Sequence, residues 1–274
     1  MNFSLLISVY KNDNPDFFAQ ALQSVADSTV IPTEVVLICD GPLSAKLDSV
    51  IDDYEHILPL KPIRLISNVG LGLALQQGVQ HCRYDWIARF DADDLCIPER
   101  FEKQLAFISR NPNTDICGSQ VIEFSDNPEE ANTLIKKVPL AHLAIAQLAK
   151  SRNPLNHMTV MYRKAAVLKA GNYQNAPLYE DYDLWIRMLS QGYQFANLPE
   201  ALVYVRAGEA MYQRRGGLVY VASEISMQKK FYALGFVTKF EAIKNLLIRI
   251  PVRLMPNRIR ALIYKLALRR TIKV

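Results

Sequence analysis

The chain has little of what would mark a secreted, zinc-binding or membrane-spanning protein. Its four cysteines, Cys39, Cys82, Cys96 and Cys117, are widely spaced, with no C-x-x-C pair and no histidine cluster around them. That excludes a zinc knuckle and a disulfide framework and fits a reducing compartment. No uninterrupted apolar stretch approaches the roughly 20 residues needed to cross a bilayer. The opening M-N-F-S-L-L-I-S-V-Y has no basic flank and its apolar run is short, so it reads as a first strand rather than a signal peptide. Eleven glycines and fourteen prolines are ordinary usage, which excludes collagenous and low-complexity chains. Acidic residues are scarce at one end: residues 239–274 hold ten Lys or Arg against Glu241 alone, although the net charge of the whole chain is only +5. A mildly acidic body carries a basic tail.

What remains is a chain of 274 residues, half of them hydrophobic, with room for one large α/β domain or two small ones. Residues 3–9, F-S-L-L-I-S-V, form the continuous apolar run of a strand buried on both faces. Phe17, Phe18, Ala21, Leu22 and Val25 then recur at helical spacing. A second strand over 34–39 ends in Asp40-Gly41-Pro42, a carboxylate followed by turn residues. A helix over 44–55, a third strand over 63–66, and a helix opened by Asn68-Val69-Gly70-Leu71-Gly72 follow. Leu75 stands where a dinucleotide fingerprint needs its third glycine, which disfavours a Rossmann cofactor site. This β-α-β-α-β order predicts a doubly wound, mostly parallel sheet that binds ligands at the carboxyl ends of its strands.

The fourth strand carries the chemistry. Trp86-Ile87-Ala88-Arg89-Phe90 runs into Asp91, Asp93 and Asp94, three carboxylates within four residues. A D-x-D places two hard oxygen ligands where Mg²⁺ or Mn²⁺ can bridge them to substrate phosphates. The plainer alternative is an acidic turn capping the next helix through Asp94, with Pro98 near its start. A helix over 98–111, a strand over 114–124, a polar loop over 125–137 and a short helix over 142–150 come next. A polar loop with Asn156 and His157 enters a strand, and His157 is a candidate substrate contact. Glu180-Asp181 then opens a helix whose apolar positions are Leu184, Trp185, Met188 and Leu189. Carboxylates there suit the helix dipole, so capping is the alternative to catalysis for either one.

With these pieces in order, the chain resembles the family 2 glycosyltransferases, inverting enzymes of the GT-A fold. The resemblance covers residues 2–208 and rests on I-S-V-Y, C-D-G-P, N-V-G-L-G-L-A, I-A-R-F-D-A-D-D, N-x-x-N-H-x-T-V and Y-E-D-Y-D-L-W-I-R-M in that order. It implies a GT-A catalytic domain over 1–215, divided into a nucleotide-sugar-binding half (1–95) and an acceptor half (96–215), followed by a helical segment over 216–274. Val9, Tyr10 and Asp40 are then expected around the base and ribose of a nucleoside diphosphate sugar, most often a UDP-sugar. Asn68, Gly70 and Arg89 would border the nucleotide and diphosphate, Asp91 and Asp93 would hold the metal, and Asp94 would face the donor sugar or cap the helix. Asp181 is the expected base, with Glu180 supporting it or serving instead, and Asn156 and His157 are expected at the acceptor. Trp185 and Arg187 read as structural. Many relatives carry a histidine after a Y-R pair, but here Tyr204-Val205-Arg206 runs into Ala207-Gly208.

The tail beyond the basic 214–217 segment is predicted to be helical. Leu246, Leu247, Ile250 and Leu254 form one stripe, and Ile259, Leu262, Ile263 and Leu266 another, both among basic residues. Such helices suit an anionic membrane surface; packing on the catalytic domain or a dimer contact is the alternative, and nucleic acid is disfavoured. The expectation is a peripheral enzyme on the inner face of the membrane, moving a hexose to a lipid-diphosphate-linked saccharide for O-antigen, capsule or exopolysaccharide. Two rival readings are a haloacid-dehalogenase-type phosphatase, with Asp91 as nucleophile and Asp93 as acid, and a non-catalytic nucleotide-sugar-binding scaffold. The donor sugar, linkage and oligomeric state stay open.

Overall fold

The computed structural model describes residues 1–124, 134–207 and 216–256. One sheet organises them, in the order β3-β2-β1-β4-β8-β6-β9-β5, with β7 beside β6. The first half is parallel: β1 (Ser4–Val9) lies between β2 (Glu34–Cys39) and β4 (Trp86–Asp91), and β3 (Leu60–Arg64) forms the edge. The second half is mixed. Antiparallel β8 (Met161–Arg163) joins β4 to β6 (Ile116–Phe124), which runs parallel to β9 (Phe195–Arg206) and antiparallel to β7 (Leu134–Lys136). The two-residue β5 (Leu95–Cys96) pairs with β9.

Alternation along buried strands feeds two cores. Leu5, Ile7, Val9, Val35, Leu37 and Cys39 face one side, against Phe18 and Leu22 of α1 (Pro15–Ala26), Leu47 and Ile51 of α2 (Ala45–Tyr54), and Phe101 and Ile108 of α4 (Arg100–Arg110). Leu6, Val36 and Ile38 face the other, against α3 (Leu71–His81), α5 (His142–Ala149), α6 (Lys164–Lys169) and α7 (Glu180–Ser190). Both faces are covered, so these strands need apolar residues at every position. All four cysteines are buried free thiols in these cores.

A third core holds α8 (Leu218–Ala233) and α9 (Lys239–Leu254) to the body: Met227, Phe231, Val237 and Ala242 pack with Ala149, Tyr179, Tyr182 and Ile186. Thr238 and Glu241 start α9 with a reciprocal capping box.

Several expectations shift. The third strand covers 60–64 rather than 63–66, because the chain leaves the sheet after Arg64 and Ile66 is 97% exposed. The predicted 98–111 helix begins at Arg100, with no side-chain cap, and Arg100 turns inward: its Nη2 donates to Arg89 O at 2.7 Å. The loop at Asn156 passes through a turn of 3₁₀ helix (His157–Thr159) before β8. On α9 the outward stripe is Phe240, Ile243, Leu247 and Leu254, whereas Leu246 and Ile250 are half-buried. The second predicted stripe, over 259–266, and residues 125–133, Gly208, Arg214 and Arg215 lie outside the described residues.

Candidate active site

Strand register brings the predicted residues to one edge. Ser8 pairs with Asp91 and Val9 with Cys39, so the chain leaves β1, β2 and β4 at Tyr10, Asp40 and Asp91 side by side. The Asp40 carboxylate is buried and accepts from Asn68 Nδ2 (3.0 Å), Val69 N (2.7 Å) and Gly70 N (3.1 Å). It therefore organises the 68–70 loop. Gly41 makes this approach possible: its φ is +87°, and a Cβ there would lie 2.7 Å from Asn68 N. Val9 departs from expectation, since its side chain is 0% exposed in the first core and only its backbone reaches the edge, where its oxygen accepts from Asp40 N. A nucleobase cannot touch that side chain.

Asp91, Asp93 and Asp94 offer oxygens that all lie within 4.8 Å of one another. Buried Arg89 forms an ion pair with Asp91. Asp94 neither caps α4 nor is open to a sugar: it is 2% exposed, and its Oδ1 accepts from Arg206 N at 3.0 Å. Its Oδ2 is buried with no hydrogen-bond partner among the described residues. Arg206 also donates through Nε to Asp93 O at 3.1 Å and stacks over Phe17 and Phe124, so the end of β9 clasps the acidic turn.

Crowding shows in the titration of these groups. Lost hydration and then the Asp91 charge push Asp93 up to about 6, even though its side chain still meets solvent. Burial followed by both neighbouring carboxylates drives Asp94 well above its ordinary range. Asp13, on the loop after β1, is also raised to about 6, by burial, although it accepts a hydrogen bond from Tyr10 N at 2.9 Å. Three mutually repelling carboxylates, one with an orphaned oxygen, fit a hard divalent cation, which would neutralise them.

The second acidic pair opens α7. Asp181 Oδ2 accepts from Asn153 Nδ2 at 2.6 Å, and Oδ1 accepts from Tyr182 N at 2.6 Å. Burial raises the Asp181 carboxyl despite the Asn153 bond, and burial with the Asp181 charge lifts Glu180 to about 7. The positive charge of Arg89 acts on both members of this pair and on all three cluster aspartates. One buried cation thus serves two anionic groups.

Asn156 and His157 lie in the interior rather than on the cleft surface. Asn156 is 1% exposed and donates to Ser119 O at 2.9 Å. His157 Nε2 lies 2.9 Å from Tyr173 Oη, and its ring meets Trp185 edge-on. Burial and then Arg89 hold its pKa well below the ordinary histidine value, so it stays neutral. Burial places both side chains inside the fold rather than at a surface where an acceptor was expected to meet them. Trp185 and Arg187 are structural, as expected: Trp185 is wholly buried, and Arg187 pairs with Asp183 at 2.9 Å. Sequence reading missed Asn153, Arg100 and Tyr173, whose partners lie in other elements, and Asp13, whose partner Tyr10 is close in the chain but whose burial no local pattern shows. Asn153 alone carried a signal, in the N-x-x-N-H motif.

Open α/β sheets bind their ligands outside the carboxyl ends of the strands, where Asp40 and Asp91 lie in this fold. The chain belongs to glycosyl transferase family 2, whose family model matches residues 4–170, and it is a glycosyltransferase. It is 40% identical over 263 residues to the amylovoran biosynthesis glycosyltransferase AmsE of Erwinia amylovora, spanning 96% of this chain and 98% of that one. It is also 40% identical over 268 residues to the UDP-Gal:alpha-D-GlcNAc-diphosphoundecaprenol beta-1,3-galactosyltransferase of Escherichia coli, spanning 98% of this chain and 97% of that protein. In structure it resembles the mannosyltransferase PcManGT from Pyrobaculum calidifontis, solved with GDP-Man and Mn²⁺, with a TM-score of 0.67 at 14% identity, covering 99% of this chain and 76% of that one. The fold is therefore GT-A, and the phosphatase and scaffold readings are set aside.

Proposed function

We propose that this glycosyltransferase moves a hexose, with inversion, from a UDP-sugar to a saccharide carried on a lipid diphosphate, in the synthesis of a cell-surface polysaccharide. The observation that carries the reading is the pairing of two separate acidic groups, Asp91-Asp93-Asp94 and Glu180-Asp181, across buried Arg89. The near full-length likeness to a galactosyltransferase named for UDP-Gal and a diphosphoundecaprenol acceptor supports the substrate classes.

Asp40 shapes the 68–70 loop beside the nucleotide, and Arg89 offers a fixed positive charge where the diphosphate gathers negative charge. Asp91 and Asp93 would hold Mg²⁺ or Mn²⁺, which supplies Lewis-acid stabilisation of the departing diphosphate. Asp181, fixed by Asn153 and Tyr182 N, takes the proton from the acceptor hydroxyl. Glu180, raised to about 7, keeps a proton longer and leaves Asp181 the ionised member of the pair. One displacement with a base and no protein nucleophile inverts the anomeric centre.

A lipid-linked acceptor sits at a membrane. No helix of the described residues is long and apolar enough to cross one, so the reading is a peripheral seat on the inner face. The outward α9 stripe, Phe240, Ile243, Leu247 and Leu254, flanked by exposed Lys239 and Lys244, supports it. The deciding test is calorimetry with UDP, UDP-galactose, UDP-glucose, UDP-N-acetylglucosamine and GDP-mannose, with Mn²⁺ or chelator, on wild type and Asp93→Ala. UDP-selective binding that needs metal and Asp93 is expected; no nucleotide binding under any condition would overturn the reading.

A further inference from the structure

The first turn of α7 carries Glu180 and Asp181, yet its own sequence does not secure it. Tyr179 stands at the N-cap position with no side-chain cap, and Leu178 before it has φ +72°. A leucine in that region is strained and persists only where the surroundings impose it.

Those surroundings are α8 and α9. Tyr179 Oη donates to Glu224 of α8. Glu224 is 0% exposed and also meets Arg249 Nη1 at 2.5 Å and Arg253 Nη2 at 3.7 Å, both from α9. Lys230 of α8 adds a pair with Asp183 at 2.5 Å and a bond to Gln174 Oε1 at 2.9 Å. From the other side, Gly72 of α3 lies so close that a Cβ there would stand 3.1 Å from Glu180 Cβ. Packing alone does not call for a buried carboxylate on α8, since well-packed apolar residues often replace such networks without loss of stability.

We infer that Glu224 is a positioning residue for the transfer reaction: bonded to Tyr179, it imposes the turn that aims Glu180 and Asp181 at the acceptor. This rests on the base assignment above, and it places part of the active-site framework in helices beyond the span the family model matches.

Tyr179→Phe removes one hydroxyl and keeps the ring, while Glu224→Gln keeps an acceptor for Tyr179. Tyr179→Phe is expected to bind UDP with Mn²⁺ as wild type does and to keep the wild-type KM for UDP-galactose. Its kcat should fall about tenfold or more, the scale of a small misplacement of a reacting group. The amides of residues 180–183 should exchange hydrogen faster, and Glu224→Gln should lie between the two. An unchanged kcat with unchanged exchange would overturn the inference, as would a kcat lowered only in proportion to the folded fraction. Should wild type bind no UDP and transfer nothing, the functional reading falls, and exchange at 180–183 decides the positioning role by itself.

Discussion

Asp93 carries a conflict between stability and function. Its carboxyl is raised from 3.8 to about 6, so between those values the folded chain binds more protons than the unfolded one. Stability from this group is therefore greatest below about 4 and is lost as pH rises through about 6. Asp93→Asn should raise stability in metal-free buffer at pH 7.5 by about 1 kcal/mol, discounted because the side chain meets solvent. The same variant should lose the rise in Tm that Mn²⁺ gives wild type; thermal melts with and without metal check both. For the acid pair, Asp181→Asn should keep UDP binding and lose about 10²–10⁴-fold in kcat. Glu180→Gln should retain more activity and leave the acid limb of the kcat profile, which follows ionisation of Asp181, near its wild-type position, because Glu180 already holds its proton below about 7. Equal turnover in Asp181→Asn would remove it as base. At this scale the chain's motifs pointed to the carboxylates that the fold gathers. They did not show that Asp40 is saturated by the 68–70 loop, that Val9 points into a core, or that His157 is buried against Trp185.

Among the elements, α9 is two-faced. Its inner edge holds Ala242 and Asn245, with Asn245 donating to Lys150 O at 2.8 Å and Arg249 to Ser151 O, close to the Asn153 that binds Asp181. Its outer edge exposes Phe240 (77%) and Leu247 (71%) beside lysines. A Phe240→Asp, Leu247→Asp double variant should lose binding to vesicles containing anionic phospholipid in a sedimentation assay while keeping UDP affinity. Unchanged sedimentation would mean that the membrane does not cover this face. Periodicity announced the helix, but not which stripe faces outward. Leu246 and Leu247 are equally apolar, yet in the fold one is half-buried and the other exposed. The β5 strand was equally silent, because two residues carry no period.

At the scale of the whole molecule, the described part of the 216–274 segment is a buttress: Phe231 and Val237 complete a core with Tyr179 and Tyr182, and Arg249 and Arg253 neutralise Glu224. Phe231→Ala should destabilise the protein by about 3–5 kcal/mol in denaturant titration, and removal of 216–274 should lower stability as well as any membrane affinity. The described part of the 216–274 segment thus packs on the body.

The sequence by itself determined the order of strands and helices through the parallel half of the sheet and the two acidic motifs. Apolar runs and helical periods are local, and strand 4 must end where its aspartates begin. Tertiary structure alone decided how those motifs are held: Asn153 on Asp181, Arg206 on Asp94, Arg89 between both acid groups, and Glu224 beneath Tyr179. Each joins residues from different elements of the fold, and hydrogen bonds and buried charge have no period in the chain that a sequence could display.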